Sequence, residues 1–394
     1  MPLRVLQQNQ QRSEEPSNSW RKRNIRAMNK RHSSAPPTRG MTARDGSQQR
    51  RLSFNDAHHE SAAMPSVANA TSSAPATAGS GHPLTFPSPK FSPGVKEVEG
   101  ESFTIVSVAT GRRWLVVNSS RDCQFGEVLR AVELAEDSAA PMAYFAVKEL
   151  SRVKLQEVEG QTHENPRREV AALQYLSDGG HPNLLTCTEA LFDKDNFYIV
   201  TPFYSEGGVF DTLIDRGRVK EDEARPIFRQ VLDLLLYLKS HGVCHGKVSL
   251  ENLMFAENNV VKLVGFGLAL RIPQKADGSA MILPPQGARG KLPYMSPEVL
   301  ASSSGFDGFA VDVWACGVML FIMLTGVYPF ELALPSRDQW CQLIAVEERL
   351  DELLSAWDLP LSPDAISLIQ SCLRLDPGRR PSLETLLTDP WFTA

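Results

Sequence analysis

Hydrophobic and polar positions divide the chain into two regions with different periodicity. Short runs rich in β-branched and aromatic residues predict strands at 103–109, 114–117, 127–134, 142–150 and 197–203. From about residue 204 onward, apolar residues recur mostly at helical spacing. The pattern therefore predicts an α+β fold in which a small sheet region precedes a larger helical region.

Two helices are predicted in more detail. Residues 164–177 place Val170 and Leu173 at helical spacing, and a glycine pair with a nearby proline ends this helix. The helix at about 222–240 carries one apolar stripe, which indicates a single buried face.

The first hundred residues show neither helical nor strand periodicity. Ser, Gln, Ala, Pro, Asn and Arg dominate residues 1–100, and the apolar residues are scattered singly. Such a segment buries too little apolar surface to offset its ordering entropy, so a disordered tail is predicted. Residues 1–51 hold twelve Lys/Arg against three Asp/Glu, and the remainder holds 29 against 43. The net charge of −5 is therefore the sum of a basic N-terminal segment and an acidic remainder.

Cysteine spacing and one apolar run bear on the cellular setting. The six cysteines are scattered without a C-x-x-C pair, and no secretory signal precedes them, so we expect an intracellular protein, cytoplasmic or nuclear. Residues 313–330 are uncharged over a length that a transmembrane helix would need. Gly317, Gly326 and Pro329 within this run favour a buried core helix instead, and no transmembrane segment is expected.

Several short motifs occur in one order at compatible spacings over about 280 residues. They are Ala146-Val147-Lys148, Glu169, the stretch His245-Gly246-Lys247-Val248-Ser249-Leu250-Glu251-Asn252, Gly265-Phe266-Gly267, Ser296-Pro297-Glu298, Asp312-x-Trp314-x-x-Gly317 and Arg380-Pro381. This series resembles V-A-I-K, its ion-pair glutamate, H-R-D-L-x-x-x-N, D-F-G and A-P-E of the eukaryotic protein kinase superfamily, with a Ser/Thr kinase-like character.

The resemblance implies a bilobal protein-kinase-like fold of the α+β class. Residues 1–100 would be the tail, 101–203 the β-rich N-lobe and 204–394 the larger helical C-lobe. Residues 268–295, which are rich in proline and glycine, would be a long activation segment.

The resemblance also implies which residues would contact ATP. The implied nucleotide contacts are Lys148, Glu169, Asn252, Gly126, Val128, Ala146, Thr201 and Met254. For Val128, Ala146 and Met254, an ordinary role in the core fits equally well. Asn252 is also a weak candidate ligand for Mg²⁺.

Two carboxylates that kinase chemistry uses are replaced. Lys247 stands where an aspartate would accept the substrate hydroxyl proton, and a protonated amine cannot be that base. Gly265 stands where an aspartate would hold Mg²⁺ against the nucleotide phosphates. Arg121 and Cys123 replace the first two glycines of the phosphate-covering loop, so only Gly126 remains. No intact catalytic set is therefore predicted.

Residues that hold the scaffold together match the family more closely. The resemblance implies that Glu298 pairs with Arg380 and that Asp312 accepts hydrogen bonds from the backbone of the catalytic loop. His245 and Phe266 would belong to an internal apolar stack.

These features favour a pseudokinase, a signalling scaffold or allosteric partner with weak or no phosphotransfer. The alternative is a divergent ATP-dependent Ser/Thr protein kinase with unusual metal and base use. A further hypothesis is that the Lys247 ammonium reaches a γ-phosphate and replaces Mg²⁺; an ordinary cleft-surface charge is the other interpretation.

The tail contains candidate phosphorylation sites. Ser53 follows a pair of arginines, and Ser34 lies in an R-x-x-S-x-P pattern that phosphoserine-reading adaptors recognise. The expected partners are therefore proteins, either such an adaptor or an active kinase. The basic clusters lack interleaved aromatic residues, so specific nucleic-acid binding is not expected.

Overall fold

The computed structural model describes residues 85–134, 143–177, 179–273, 275 and 280–393. The predicted order is confirmed over these residues, because a β-barrel comes first and a mainly helical region follows. Residues 1–84 lie outside the described part, and so do the candidate phosphorylation sites Ser34 and Ser53.

Seven strands close the barrel in the order β1-β2-β3-β4-β5-β7-β6. Neighbours are antiparallel except β1 and β6, whose short parallel pairing closes the sheet. Ile105, Trp114, Val147, Leu191 and Tyr198 fill the interior and are fully buried. The strands are β1 Ser92–Glu99, β2 Ser102–Ser107, β3 Arg113–Cys123, β4 Gly126–Glu133, β5 Tyr144–Ser151, β6 Glu189–Phe192 and β7 Asn196–Pro202.

Strand β1 corrects the predicted boundary of the tail, because it lies within residues 1–100. It pairs with β2 from Gly94↔Ser107 to Glu99↔Ser102, and the Lys96 ammonium lies 2.8 Å from a Glu149 carboxylate oxygen. The strand is only half buried, and its valines face outward. Backbone pairing and two ion pairs, Lys96 with Glu149 and Glu97 with Arg113, hold it, so the apolar pattern gave no signal.

The first long helix after the barrel strand β5 is α2, Pro166–Leu176, which follows the short helix α1, Arg152–Glu157. The Asn165 side chain caps α2 by accepting hydrogen bonds from two backbone amides of the first turn, and Pro166 occupies that turn. Val170, Leu173 and Leu176 form its buried face, as the periodicity predicted.

The helical region is built around α6, a helix of 18 residues that is buried on nearly all sides. By length and composition α6 could cross a membrane, but 83% of its apolar window is buried within the fold. The helices are α3 Val209–Arg216, α4 Glu221–Ser240, α5 Pro297–Ala301, α6 Gly308–Thr325, α7 Gln339–Cys341, α8 Leu350–Ala356, α9 Pro363–Cys372 and α10 Leu383–Leu387.

Short elements between α4 and α5 carry most of the site described below. The strands are β8 Val243–Cys244, β9 Leu253–Ala256, β10 Val260–Leu263 and β11 Leu270–Arg271, and the 3₁₀ turns are Leu250–Asn252, Glu257–Asn259, Phe266–Leu268 and Leu292–Tyr294. Strands β9 and β10 form one antiparallel pair, and β8 and β11 form another.

Candidate active site

Lys148 and Glu169 form an ion pair between β5 and α2. The Lys148 ammonium donates to both carboxylate oxygens of Glu169, at 2.7 and 2.9 Å. Burial alone would lower the pKa of Lys148, but the charge and hydrogen bond of Glu169 outweigh burial and raise it. The Glu169 side chain is buried while Lys148 keeps partial exposure, so the cation faces the cleft.

Three further candidate nucleotide contacts share the sheet face of Lys148. Val128 pairs with Lys148, and Thr201 pairs with Ala146, across neighbouring strands. The Thr201 hydroxyl donates to the Ala146 carbonyl at 3.3 Å. This face lies opposite the barrel interior, because side chains alternate along each strand. Met254, on β9, bridges to Gly208 at the start of the helical region.

The phosphate-covering loop is replaced by a tight β-hairpin. Strands β3 and β4 pair as far as Cys123↔Gly126, which leaves a turn of only two residues. Phe125 in that turn is buried against Leu150 and Val170, and its carbonyl accepts a hydrogen bond from the Ser151 amide at 3.0 Å. The turn therefore folds onto β5 and α2, and Arg121 and Cys123 bring side chains to the positions of the two missing glycines.

Gly126 is required by the packing of this hairpin. A Cβ at position 126 would lie 2.0 Å from the backbone oxygen of Glu149. The glycine therefore permits close approach of β4 to β5, a reason independent of nucleotide.

Lys247, at the position of the missing base, forms an ion pair with Glu164. The Lys247 ammonium donates to a Glu164 carboxylate oxygen at 2.7 Å, and the Lys247 side chain is 16% exposed. Glu164 directly precedes the cap of α2, whereas Lys247 belongs to the loop after β8. The pair thus joins the catalytic-loop position to the N-terminus of α2.

Glu164 was missed by sequence reasoning, because it lies in a charged stretch without a motif. The two hypotheses for Lys247, a γ-phosphate ligand and a cleft-surface charge, both stay predictions. The ammonium is partly buried and engaged by a carboxylate on the same chain.

Gly265 and Asn252 lie directly against each other. Gly265 has φ +82°, and a Cβ there would be 3.1 Å from Oδ1 of Asn252. The Asn252 side-chain amide donates to the Lys247 carbonyl at 2.7 Å, while its backbone carbonyl accepts from the Val264 amide at 2.8 Å. Asn252 is therefore held in place by the loop itself.

The donor set at this position does not fit Mg²⁺. Magnesium prefers near-octahedral oxygen ligands that include carboxylates, yet Gly265 supplies no side chain and Asn252 offers one amide oxygen. Within the part of the chain that the structure describes, no group of three or more His, Cys, Asp or Glu side chains could hold a metal ion.

His245 and Phe266 pack edge to face, with ring centroids 4.7 Å apart. His245 Nδ1 accepts from the Lys247 amide at 3.2 Å, and Nε2 faces the Val264 carbonyl at 3.3 Å. These partners require a neutral ring protonated on Nε2. Burial is the main cause that lowers the pKa of His245 to about 3.

Two buried carboxylates tie the loops to the helical region. Asp312 accepts from the backbone amides of His245 and Gly246 at 2.7 and 2.8 Å, and burial raises its pKa to about 7. Glu298 accepts two hydrogen bonds from the Arg380 guanidinium at 2.7 and 2.8 Å. The structure thus brings each predicted partner together.

Comparison with known proteins agrees with these motifs. A family model described as protein kinase domain matches residues 123–392. CBL-interacting protein kinase 31 of Oryza sativa subsp. japonica is 33% identical over 248 residues, which are 63% of this chain and 51% of that protein. CBL-interacting serine/threonine-protein kinase 9 of Arabidopsis thaliana is 33% identical over 229 residues, 58% of this chain and 48% of that protein. The chain therefore spans about half the length of these curated relatives.

Proposed function

This chain belongs to the protein kinase domain family, and from that premise we propose that it is a pseudokinase that acts as a signalling scaffold. In this proposal the kinase fold binds a protein partner, and phosphotransfer is weak or lacking. The setting we propose is intracellular.

The ion pair between Lys247 and Glu164 carries the proposal. A general base must accept a proton from the attacking hydroxyl, and Lys247 offers a protonated amine that already donates to a carboxylate at 2.7 Å. Loss of a positioned base typically lowers the rate by about 10² to 10⁴, and loss of metal charge stabilisation costs several kcal/mol more. Neither Gly265 nor Asn252 supplies the missing carboxylate.

One observation favours the alternative of a divergent ATP-dependent Ser/Thr kinase. Lys148 and Glu169 are paired at 2.7 Å, which is the arrangement that positions the lysine for nucleotide phosphates in active kinases. Contact with the ATP phosphates would then depend mainly on Lys148, since Arg121 and Cys123 replace the first two glycines of the loop.

A protein partner is supported by the similar proteins, whose names describe kinases that interact with CBL. We carry over only the expectation that a protein is bound, because the chain spans about half of those proteins.

Phosphotransfer from labelled ATP to a mixed Ser/Thr substrate tests the proposal, with Mg²⁺, with Mn²⁺ and with EDTA. We expect no transfer above background for the unmodified chain. Transfer that disappears in Lys148→Ala would establish the divergent kinase instead. Transfer that persists in Lys148→Ala would come from a contaminating kinase, and the preparation would be repeated until that activity is gone.

A further inference from the structure

Residues 85–91, which we call the strap, precede β1 and lie against α2 without forming a helix or a strand. The Gln174 side chain of α2 holds the backbone of the strap. Its Oε1 accepts from the Lys90 amide and its Nε2 donates to the Lys90 carbonyl, both at 2.8 Å. These two bonds fix the path of the chain at Lys90, whatever side chain stands there.

Two phenylalanines anchor the strap to different parts of the fold. Phe86 packs edge to face on Tyr175 of α2, with ring centroids 5.8 Å apart, and joins the main core of the helical region. Phe91 packs on Phe197 of β7, with ring centroids 5.0 Å apart, and joins an apolar cluster that the barrel and α2 share. Ser88 therefore lies between two aromatic anchors, on a segment that contacts the barrel, α2 and the helical region.

The chain contains four Ser-Pro dipeptides, and all four lie among the described residues. A proline directly after the serine is the pattern that proline-directed protein kinases recognise, so the sequence alone gives four candidate acceptors. Of these serines, only Ser88 is exposed and lies outside every helix and strand. The four serines are Ser88, Ser92, Ser296 and Ser362.

The other three serines are held by the fold. Ser92 begins β1 and pairs with Leu191 of β6, where the barrel closes. Ser296 is fully buried at the start of α5. Ser362 caps α9, and its hydroxyl donates to a Glu221 carboxylate oxygen at 2.7 Å. A kinase that binds its acceptor as an extended segment would therefore have to disrupt the barrel or the helical region to reach any of the three.

Access to Ser88 requires a much smaller opening. The Phe86 ring and the two hydrogen bonds of Lys90 must be released, whereas β1 stays paired with β2 and β6. Segments with few buried contacts open locally at a free energy far below that of global unfolding. Local opening of the strap therefore presents Ser88 to an enzyme while the barrel remains closed.

We infer that Ser88 is a phosphorylation site, which a separate proline-directed protein kinase modifies while the strap is lifted from α2. ATP is the donor. The bond between the γ-phosphorus and the β,γ-bridging oxygen breaks, Ser88 Oγ forms the new bond to phosphorus, ADP leaves, and the hydroxyl proton passes to a base of that kinase. The product adds a charge of about −1.5 to −2 at pH 7 to the segment that contacts α2, the helix that bears Glu169. The inference goes beyond the proposed function and does not depend on it, because another enzyme supplies the activity.

The test compares Ser88 with Ser92 in the full-length chain, using ATP labelled on the γ-phosphate and a purified proline-directed kinase. Mass spectrometry locates the phosphate. A synthetic peptide of residues 84–97 is the unfolded reference, and the kinase used is one that modifies both serines of this peptide at comparable rates. In the folded chain we expect Ser88 to be modified at least about tenfold faster than Ser92, because Ser92 becomes accessible only when the barrel opens. Ser88→Ala should remove this incorporation, and the matched control Ser92→Ala should change it less than about twofold.

The variant Gln174→Ala tests whether the strap controls access. Without the two hydrogen bonds to Lys90 the strap lifts more often, so the rate at Ser88 should rise about threefold to tenfold. The rate at Ser92 should stay within about twofold, which reports that the barrel is intact. Thermal unfolding verifies that the variant is folded, and Phe86→Ala replaces it if it is not.

Two results would overturn the inference. One is the absence of phosphate at Ser88 in the folded chain, and the other is equal modification of Ser88 and Ser92 there. An equal rise at both serines in Gln174→Ala would contradict the role of the strap, because it would show that the barrel opens as a whole.

Discussion

Gly265 lies so close to Asn252 that a Cβ at position 265 would be 3.1 Å from the Asn252 side-chain oxygen. Asn252 cannot move away freely, because its amide donates to the Lys247 carbonyl. The absence of an aspartate at position 265 therefore does not leave an empty space. An aspartate there would have to displace the Asn252 side chain by a few tenths of an ångström.

Restoring both aspartates should not restore a kinase. In Lys247→Asp/Gly265→Asp, the new carboxylate at 247 would lie near Glu164, which repels it, and the β3–β4 hairpin would still carry Arg121 and Cys123 in place of two glycines. We expect phosphotransfer from labelled ATP to stay within about tenfold of background. The single variant Gly265→Asp is the control. A gain of about a thousandfold in the double variant would mean that the two carboxylates alone were missing.

The Lys148–Glu169 pair should contribute to stability whether or not ATP binds. Lys148→Met leaves the Glu169 carboxylate, which is 4% exposed, without its cation. We expect the free energy of unfolding to fall by about 2 kcal/mol, measured by urea denaturation. The double variant Lys148→Met/Glu169→Leu should lose less than Lys148→Met alone, because no unpaired charge stays buried. A larger loss in the double variant would argue against this coupling.

Motifs with a fixed order made the scaffold predictable from the sequence. Asp312, Glu298 and Arg380 each find the partner that the resemblance assigned, since buried charge pairs tolerate few alternatives. The predicted helix at 164–177 is close to the observed Pro166–Leu176 for a similar reason, because its buried face imposes a period.

Contacts that neither a motif nor a hydrophobic period constrains were not predictable from the sequence. Strand β1 is held by backbone hydrogen bonds to β2, which any residue can make, so its composition resembled a tail. Glu164 reaches Lys247 across 83 residues of sequence, and no periodicity links two surface-type charges at that separation. The sequence predicted the turn at Phe125 only as a glycine-rich loop in which two glycines are replaced. Burial of the Phe125 ring, which determines how the turn packs, was not predicted.

His245 should make the fold sensitive to acid. Its pKa is lowered to about 3 in the folded chain, against about 6.5 when unfolded, so the unfolded state binds an extra proton between these values. Stability from this group is complete above about pH 6.5 and is lost as the pH falls toward 3, by about 1.4 kcal/mol per unit at most. Protonation of Nδ1 would also break the hydrogen bond from the Lys247 amide.

The variant His245→Phe isolates this effect. Asp312 has a raised pKa of about 7, which makes its contribution fall as the pH rises through about 4 to 7, so absolute profiles mix two opposite slopes. The free energy of unfolding is therefore measured from pH 4 to 7 for the unmodified chain and for His245→Phe, and the difference between the two is followed with pH. We expect the greater stability of the unmodified chain to shrink toward pH 4. A constant difference would show that His245 does not titrate in this way.

Gly126 and Gly160 offer a matched test of why the hairpin keeps its glycine. Gly126→Ala would place a Cβ 2.0 Å from the Glu149 backbone oxygen, which forces β4 away from β5, whereas Gly160→Ala meets no atom within 4 Å and is strained only by φ +80°. We expect Gly160→Ala to cost about 1 kcal/mol and Gly126→Ala to cost at least about 2 kcal/mol, measured by thermal and urea unfolding without nucleotide. Equal losses would indicate that the strands separate without penalty, and the retention of glycine at 126 would then need a ligand-based reason.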